Sequence, residues 1–337
     1  MKRIVLVLML LLVLGVTGAG VFAYSIAASA RQPVEIPADS AEFEVPKGAN
    51  AKTVGKLLEE KHLVSNPLVW RFVIWNRGGL KLKAGKFKLE GQLSTFDIAD
   101  ALEKSPLAED EPFVVVEGFR IRDTDEALVE AGRINAGEYI KAASSSDGYS
   151  APFTLPKGTL EGYLYPETYQ MPKGHIDSRQ LVQKQLDLFG SRVFSPNAEA
   201  LKAQKRTLHE VVTMASMLER EEPTPSNRPL VAGILWKRIT QGWPLGVDAT
   251  SRYELEKWND RKEFLVKLRD QSDPYNSRYK KGLPPTPIGA PTTASFEAAL
   301  KPTETEYLYY LHDSNHVLHP SRNADEHEAL RKKYDVY

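Results

Sequence analysis

The segment Ile4–Ala23 carries no charge and is almost wholly aliphatic, and Lys2-Arg3 precedes it. A helix of about 20 such residues spans the hydrocarbon layer of a bilayer. With apolar side chains all round, it lacks the polar face that a surface helix of a globular domain presents to water. The run therefore commits the N-terminus to a membrane, and the two basic residues predict a cytoplasmic tip with the remainder of the chain facing outward. A cleaved signal peptide is the rival reading, because Ala28-Ser29-Ala30 has the small-residue pattern of a cleavage site. The length of the run, against a signal core of about 7–15 residues, favours a retained single-pass anchor.

An outward-facing chain is free to form disulfides, yet these 337 residues include no cysteine. Stability has to come from ordinary hydrophobic cores, which a chain of this length supplies as two domains. Lys plus Arg and Asp plus Glu both number 44, so the net charge is zero. No global field recruits nucleic acid, and nucleic-acid binding is not expected.

The turn and periodicity signals describe an α+β chain. Arg31–Ser40, with Pro33 and Pro37, reads as an extended linker between anchor and first domain. A strand at Phe43-Glu44-Val45, helices over Ala51–Glu60 and Asn66–Asn76, and a strand at Gly85–Leu89 follow. This strand–helix–helix–strand order and size resemble a LysM glycan-binding module. A fainter echo runs through the region, with Phe43, Val45, Val54 and Leu58 repeated as Phe87, Leu89, Ile98 and Leu102. Ser105–Pro112 is acidic and irregular and reads as a boundary. Farther on, the aromatics of Leu160–Tyr169 suit either a sugar-stacking platform or a structural core, and pattern alone favours the core.

Met214–Pro223 is the most suggestive stretch for chemistry. It sets Glu219, Glu221 and Glu222 at the end of an apolar helical run. On a helical wheel Leu208, Val211, Val212, Ala215 and Leu218 form a stripe that Glu219 continues, with Glu221 at its edge and Glu222 held out of the helix by Pro223. An acid at the negative end of a helix dipole, among other acids, resists ionisation, and a neutral carboxylic acid can donate a proton at neutral pH. A solvated helix end with idle acids is the plain alternative. Wheel geometry does not choose between Glu219 and Glu221.

The motifs that follow do discriminate. Gly242–Thr250, Asp273-Pro274-Tyr275-Asn276-Ser277, Gly282-Leu283-Pro284-Pro285, Ala298–Pro302 and Tyr307–Tyr310 with later histidines accompany the acidic helix end in that order. Together with Leu160-Glu161-Gly162, Pro166-Glu167-Thr168-Tyr169 and Ala215-Ser216-Met217-Leu218-Glu219-Arg220-Glu221, they resemble the endolytic murein transglycosylase family, also called YceG-like. The resemblance runs from the anchor to the C-terminus. It implies an anchor and cytoplasmic tip over 1–30, a linker over 31–40, a LysM-like module over 41–105 and a mixed α+β catalytic domain over 106–337.

The activity implied is non-hydrolytic cleavage between N-acetylmuramic acid and N-acetylglucosamine in nascent glycan strands at the outer face of the cytoplasmic membrane. It would close a 1,6-anhydro ring and terminate elongation beside penicillin-binding synthases. The family's catalytic glutamate falls on Glu221. Glu219, Asp248, Tyr275, Asn276 and His316 take supporting or substrate-binding positions. No cofactor is implied, and a zinc site at His312, His316 and His319 lacks a matching ligand frame.

Four positions depart from the family pattern. Gly246 stands for a Gln, Arg278 for a Tyr that Tyr279 could replace by a one-residue shift, Asn227 for an acid, and Leu318 for a Phe. These departures keep two alternatives open: a catalytically weak or inactive membrane-anchored scaffold, and a hydrolase that uses Asp248 as second carboxylate.

Overall fold

α1 (Lys2–Arg31) runs unbroken through the apolar segment, and its side chains from Leu12 to Tyr24 are exposed. The stretch Leu12–Arg31, of mean hydropathy 1.7, is long and apolar enough to cross a membrane. The computed structural model describes residues 2–36, 42–64, 66–104 and 110–336. It resolves two units, Met1–Asp110 and Glu111–Tyr337.

In the first unit, α1 is followed by β1 (Val34–Glu35), β2 (Glu42–Val45), α2 (Ala51–Glu60), α3 (Pro67–Asn76), β3 (Gly85–Lys88), β4 (Gln92–Leu93) and α4 (Thr95–Glu103). Side chains start the helices. Asn50 and Asn66 accept the first free N–H groups of α2 and α3, Pro67 presets the opening turn of α3, and Ser94 with Asp97 forms a capping box on α4.

β2 pairs antiparallel with β3, Phe43 opposite Phe87, and the alternation that the sequence shows puts both rings inward. All eight residues of the sequence echo are buried in one core, which Ile26 and Ala30 from the last turns of α1 also join. α2 and α3 approach closely because Gly55 has no side chain; a Cβ there would lie 2.5 Å from Trp70 Cδ1.

Two expectations change here. Val34–Glu35 of the supposed linker is hydrogen-bonded to β4 and Ile36 is buried, so that part of it is folded; Pro37–Ser40 lies outside the described residues. The expected strand–helix–helix–strand order is present, but α4 and the β1–β4 pair complete its core. The unit is thus larger than four elements. Of the expected boundary, Ser105–Glu109 lies outside the described residues, and Asp110–Pro112 already belongs to a strand.

That strand, β5 (Asp110–Val114), pairs with β6 (Thr168–Pro172). Between them lie α5 (Ile121–Glu130) and α6 (Glu138–Ala143). After β6, α7 (Ser178–Phe189) continues through a π turn, Gly190–Phe194, into α8 (Ser195–Lys202). The remaining elements are α9 (Leu208–Glu221), α10 (Arg228–Thr240), α11 (Asp248–Arg252), α12 (Arg261–Lys267), α13 (Thr293–Leu300), the antiparallel hairpin β7 (Tyr309–His312) and β8 (Leu318–Ser321), and α14 (Ala324–Tyr334).

α9 is the axis of the second unit. A capping box of Thr207 and Glu210 starts it, and every residue from Val211 to Leu218 is buried. It is enclosed all round, not along the single stripe that the wheel suggested. α9 packs closely on α13, and the buried Ser216 Oγ is satisfied by donating to Thr213 O and accepting from Ile288 N in the loop before α13. Tyr163 and Tyr169 are buried, Tyr163 against Phe153 and Phe189, so these two aromatics of Leu160–Tyr169 form core and not a sugar platform.

Candidate active site

α9 ends where Pro223 prevents its continuation. Glu222 N still bonds Leu218 O, but Glu222 itself is extended at φ −120° and ψ 102°. The three glutamates of this end consequently point into different surroundings.

Glu219 is enclosed by the starts of α10 and α13. Arg228 Nη2 lies 3.0 Å from its Oε1, and Thr292 donates to Oε2 from its backbone N at 2.8 Å and its hydroxyl at 2.7 Å. Side-chain exposures of 4% for Glu219 and 6% for Arg228 make this a buried ion pair that ties three helices together.

Glu222, expected to stand clear of the helix, is fully buried. His312 Nε2 lies 2.9 Å from one carboxylate oxygen, and Thr224 N donates to the other at 2.7 Å. Burial alone would raise its pKa. The hydrogen bonds from His312, Thr224 and Asn227 outweigh burial and hold it below the usual carboxylate value. His312 is shifted upward in turn, chiefly by that same bond.

Among the described residues Glu221 has no such partner, and its side chain is bonded only by Tyr310 Oη, 3.1 Å away on β7. Desolvation, then the charge of Asp248, push its pKa up to about 7, while Tyr310 and the nearby His312 pull only partly against them. At neutral pH its carboxyl therefore exchanges readily between acid and base. Such a group can donate a proton and then take one back.

Asp248, the first residue of α11, is held by Arg278 through Nη2 at 2.6 Å and Nε at 2.9 Å. Arg278 thus clamps the acid that neighbours Glu221. The Asn227 side chain hydrogen-bonds Glu222 and helps to hold its pKa down.

Of the other expected site residues, Tyr275 Oη shares a hydrogen bond with Thr286 and its ring lies 4.7 Å from that of Tyr253. Asn276 is fully buried and its amide donates to the carbonyls of Lys267, Leu268 and Asp270, which shapes the loop after α12. His316 is exposed in the β7–β8 turn at φ 60°. Asp248 lies close enough for its charge to act on Glu221, and residues 275–278 pack on α11 through Ser277, Arg278 and the Tyr275 ring.

Tyr310, His312 and Arg238 were not singled out for roles by the sequence reading. Arg238 bonds the carbonyls of Leu308 and Leu245, fixing β7 against α10. The available signal was the alternation of Tyr310 and His312 on one strand face.

Among the described residues Glu221 is bonded by a phenol alone, beside carboxylates held by Arg228, Arg278 and His312, an arrangement that suits acid–base chemistry by one carboxyl group. The YceG-like family model matches residues 43–333, and the chain belongs to that family. It is 25% identical over 329 residues to the endolytic murein transglycosylase of Bacillus subtilis (strain 168), covering 94% of this chain and 90% of that one. It is 24% identical to the endolytic murein transglycosylase of Streptococcus pneumoniae serotype 2 (strain D39), covering 93% of this chain and 62% of the relative. The fold is similar to the crystal structure of a YceG-like protein from Listeria monocytogenes, with a TM-score of 0.58, 25% identity, and coverage of 86% of this chain and 98% of that one.

Proposed function

We propose that this protein is a membrane-anchored lytic transglycosylase that cuts peptidoglycan strands internally between N-acetylmuramic acid and N-acetylglucosamine, with Glu221 as its catalytic residue. The name carried by its relatives supports the reaction class. One observation about the site carries the mechanism: Glu219 and Asp248 are each engaged by an arginine and Glu222 by an imidazole, whereas among the described residues Glu221 is bonded only by a phenol.

Ordinary glycosidases need two carboxyl groups, one as acid and one to activate water or attack the sugar. Here a neutral Glu221 protonates the leaving glycosidic oxygen as C1 of the muramic acid gains oxocarbenium character. The carboxylate left behind then accepts the proton of the same sugar's C6 hydroxyl. That oxygen attacks C1 and closes the 1,6-anhydro ring, while the other strand leaves with the hydroxyl formed. An internal nucleophile held beside its target has a high effective concentration, which makes a second carboxylate unnecessary.

The apolar α1 suits a single-pass anchor with Lys2 and Arg3 in the cytoplasm and the catalytic unit facing the cell wall. In that place the enzyme would meet nascent strands and end their elongation beside penicillin-binding synthases.

Digestion of uncrosslinked glycan by the full-length protein in detergent, with mass analysis of the new ends, tests the reading. Anhydro-muramic ends that disappear in Glu221→Gln are expected. Reducing muramic ends would make the protein a hydrolase, and binding without cleavage would make it a scaffold.

A further inference from the structure

The second unit contains another buried carboxyl that the proposed reaction does not use. Glu161 is 3% exposed and lines a cavity of about 190 Å³ whose walls include Arg120, Ile121, Arg122, Ile140, Ser144 and Tyr253. Its Oε2 accepts from Ile121 N and from Tyr253 Oη, both at 3.2 Å. Among the described residues, nothing hydrogen-bonds its Oε1.

The cations beside it are spent elsewhere. Arg120 binds Asp123 and the carbonyls of Tyr253 and Leu255, and Arg122 binds the carbonyls of Glu254 and Leu255. The charge of Arg120 favours ionised Glu161, but among the described residues no cation bonds the carboxyl, and an incoming positive charge in contact with it would relieve more of the cost of its burial. Burial lifts the Glu161 pKa to about 7, so it can still ionise under ordinary conditions to meet such a charge. Ile121 and Ile140 give the cavity apolar walls. An acid beside aliphatic walls fits a methylene chain ending in an ammonium, whose charge is compact and carries three donors.

We propose that this cavity binds a primary alkylammonium group, namely the side-chain amine of a diamino acid in the peptide stem of peptidoglycan. The ammonium chemistry follows from the cavity; its source rests on the peptidoglycan reading above. The position suits a stem attached near the scissile bond. Asp248 opens α11 on the Glu221 side, and Tyr253 closes the same helix over Glu161. Five helical residues rise only about 8 Å.

The test is calorimetric titration of the full-length protein in detergent with Nα-acetyl-lysine methylamide and with its Nε-acetylated counterpart. The amine should bind saturably and at least tenfold more tightly than the acetylated form. Glu161→Gln should lose that preference. Ser144→Trp, at the exposed rim, should block binding while leaving every Glu161 contact in place, so it serves even if Glu161→Gln fails to fold. Equal binding of the two compounds, no binding of either, or an unchanged preference in Ser144→Trp would overturn the proposal. Glycan cleavage is read separately. Cleavage without amine binding removes this site and keeps the enzyme, whereas amine binding without cleavage keeps the cavity and removes the peptidoglycan reading.

Discussion

Glu219 and Glu222 flank Glu221 on the same helix end; Glu219 has a guanidinium and Glu222 an imidazole at hydrogen-bonding distance, each with a backbone N–H as well. Glu221 has a phenol and a neighbouring negative charge. All three are drawn from water to a large degree, so burial does not separate them. What separates them is counter-charge. The paired acids hold α9 to α10, α13 and β7, and the unpaired one keeps a proton within reach at neutral pH. The proposed function thus divides structural and chemical duties among residues that look interchangeable in the sequence.

The sharpest break of this contrast is to neutralise each acid without changing its size. Glu221→Gln removes the proton donor and acceptor, and general acid–base catalysis contributes about 10²–10⁴-fold. Strand-cleavage rates should fall by about a thousandfold while the melting temperature holds or rises, because a carboxyl that resists ionisation has been replaced by a neutral amide. The sign follows from linkage. A folded pKa of about 7 against an ordinary 4.5 means that neutral Glu221 favours the fold at low pH and that this contribution is lost as pH rises through about 7. A gain in melting temperature should therefore be seen at pH 8 and not at pH 4. Activity within tenfold of the parent would remove Glu221 from the catalytic position.

Glu219→Ala should do the reverse. Arg228 would be left buried without its partner, a change that costs about 3–5 kcal/mol when a buried pair loses one member. Denaturant unfolding of the second unit measures it. A loss below about 1 kcal/mol would mean that Glu219 does not hold the helices together.

His312→Ala is expected to cost less, about 2–3 kcal/mol, since it removes a charged hydrogen bond from a residue that keeps some contact with water. The pH window identifies the cause. Raised His312 stabilises fully below its unfolded value of 6.5 and stops doing so as pH rises through its folded value. Lowered Glu222 stabilises fully above 4.5 and stops as pH falls through its folded value. The gap between parent and variant should be widest between these limits, and a gap independent of pH would assign the effect to packing alone.

Much of this was legible beforehand. Helix and strand positions followed from spacing and caps, and the inward rings of Phe43 and Phe87 from alternation. The resemblance picked Glu221 where the wheel left two choices open. The enclosure of α9 on every side was not legible, because Thr213 and Ser216 read as polar until their hydroxyls find partners within the helix and at Ile288. Nor was the burial of Glu222. Its partner His312 lies ninety residues downstream on a strand, and no local pattern announces a pairing at that separation. Asn276 and His316 were chosen by motif position; the loop-shaping bonds of the one and the left-handed turn of the other are features that no motif spacing announces.

The finest test concerns the two groups that act on Glu221 from opposite sides. Tyr310 stabilises its carboxylate and Asp248 its acid, so Tyr310→Phe should move the alkaline limb of the activity profile upward and Asp248→Asn should move it downward. Each displacement should be about 0.5 pH unit, equivalent to about 0.7 kcal/mol. Arg278→Ala, which frees the charge of Asp248, should act in the direction of Tyr310→Phe. Salt then tells the two influences apart. Asp248 is 43% exposed, and its field should fade as ionic strength rises, whereas the Tyr310 hydrogen bond should persist. If added salt erased the Tyr310→Phe displacement and spared that of Asp248→Asn, the acid's proton would be governed by some group other than these two.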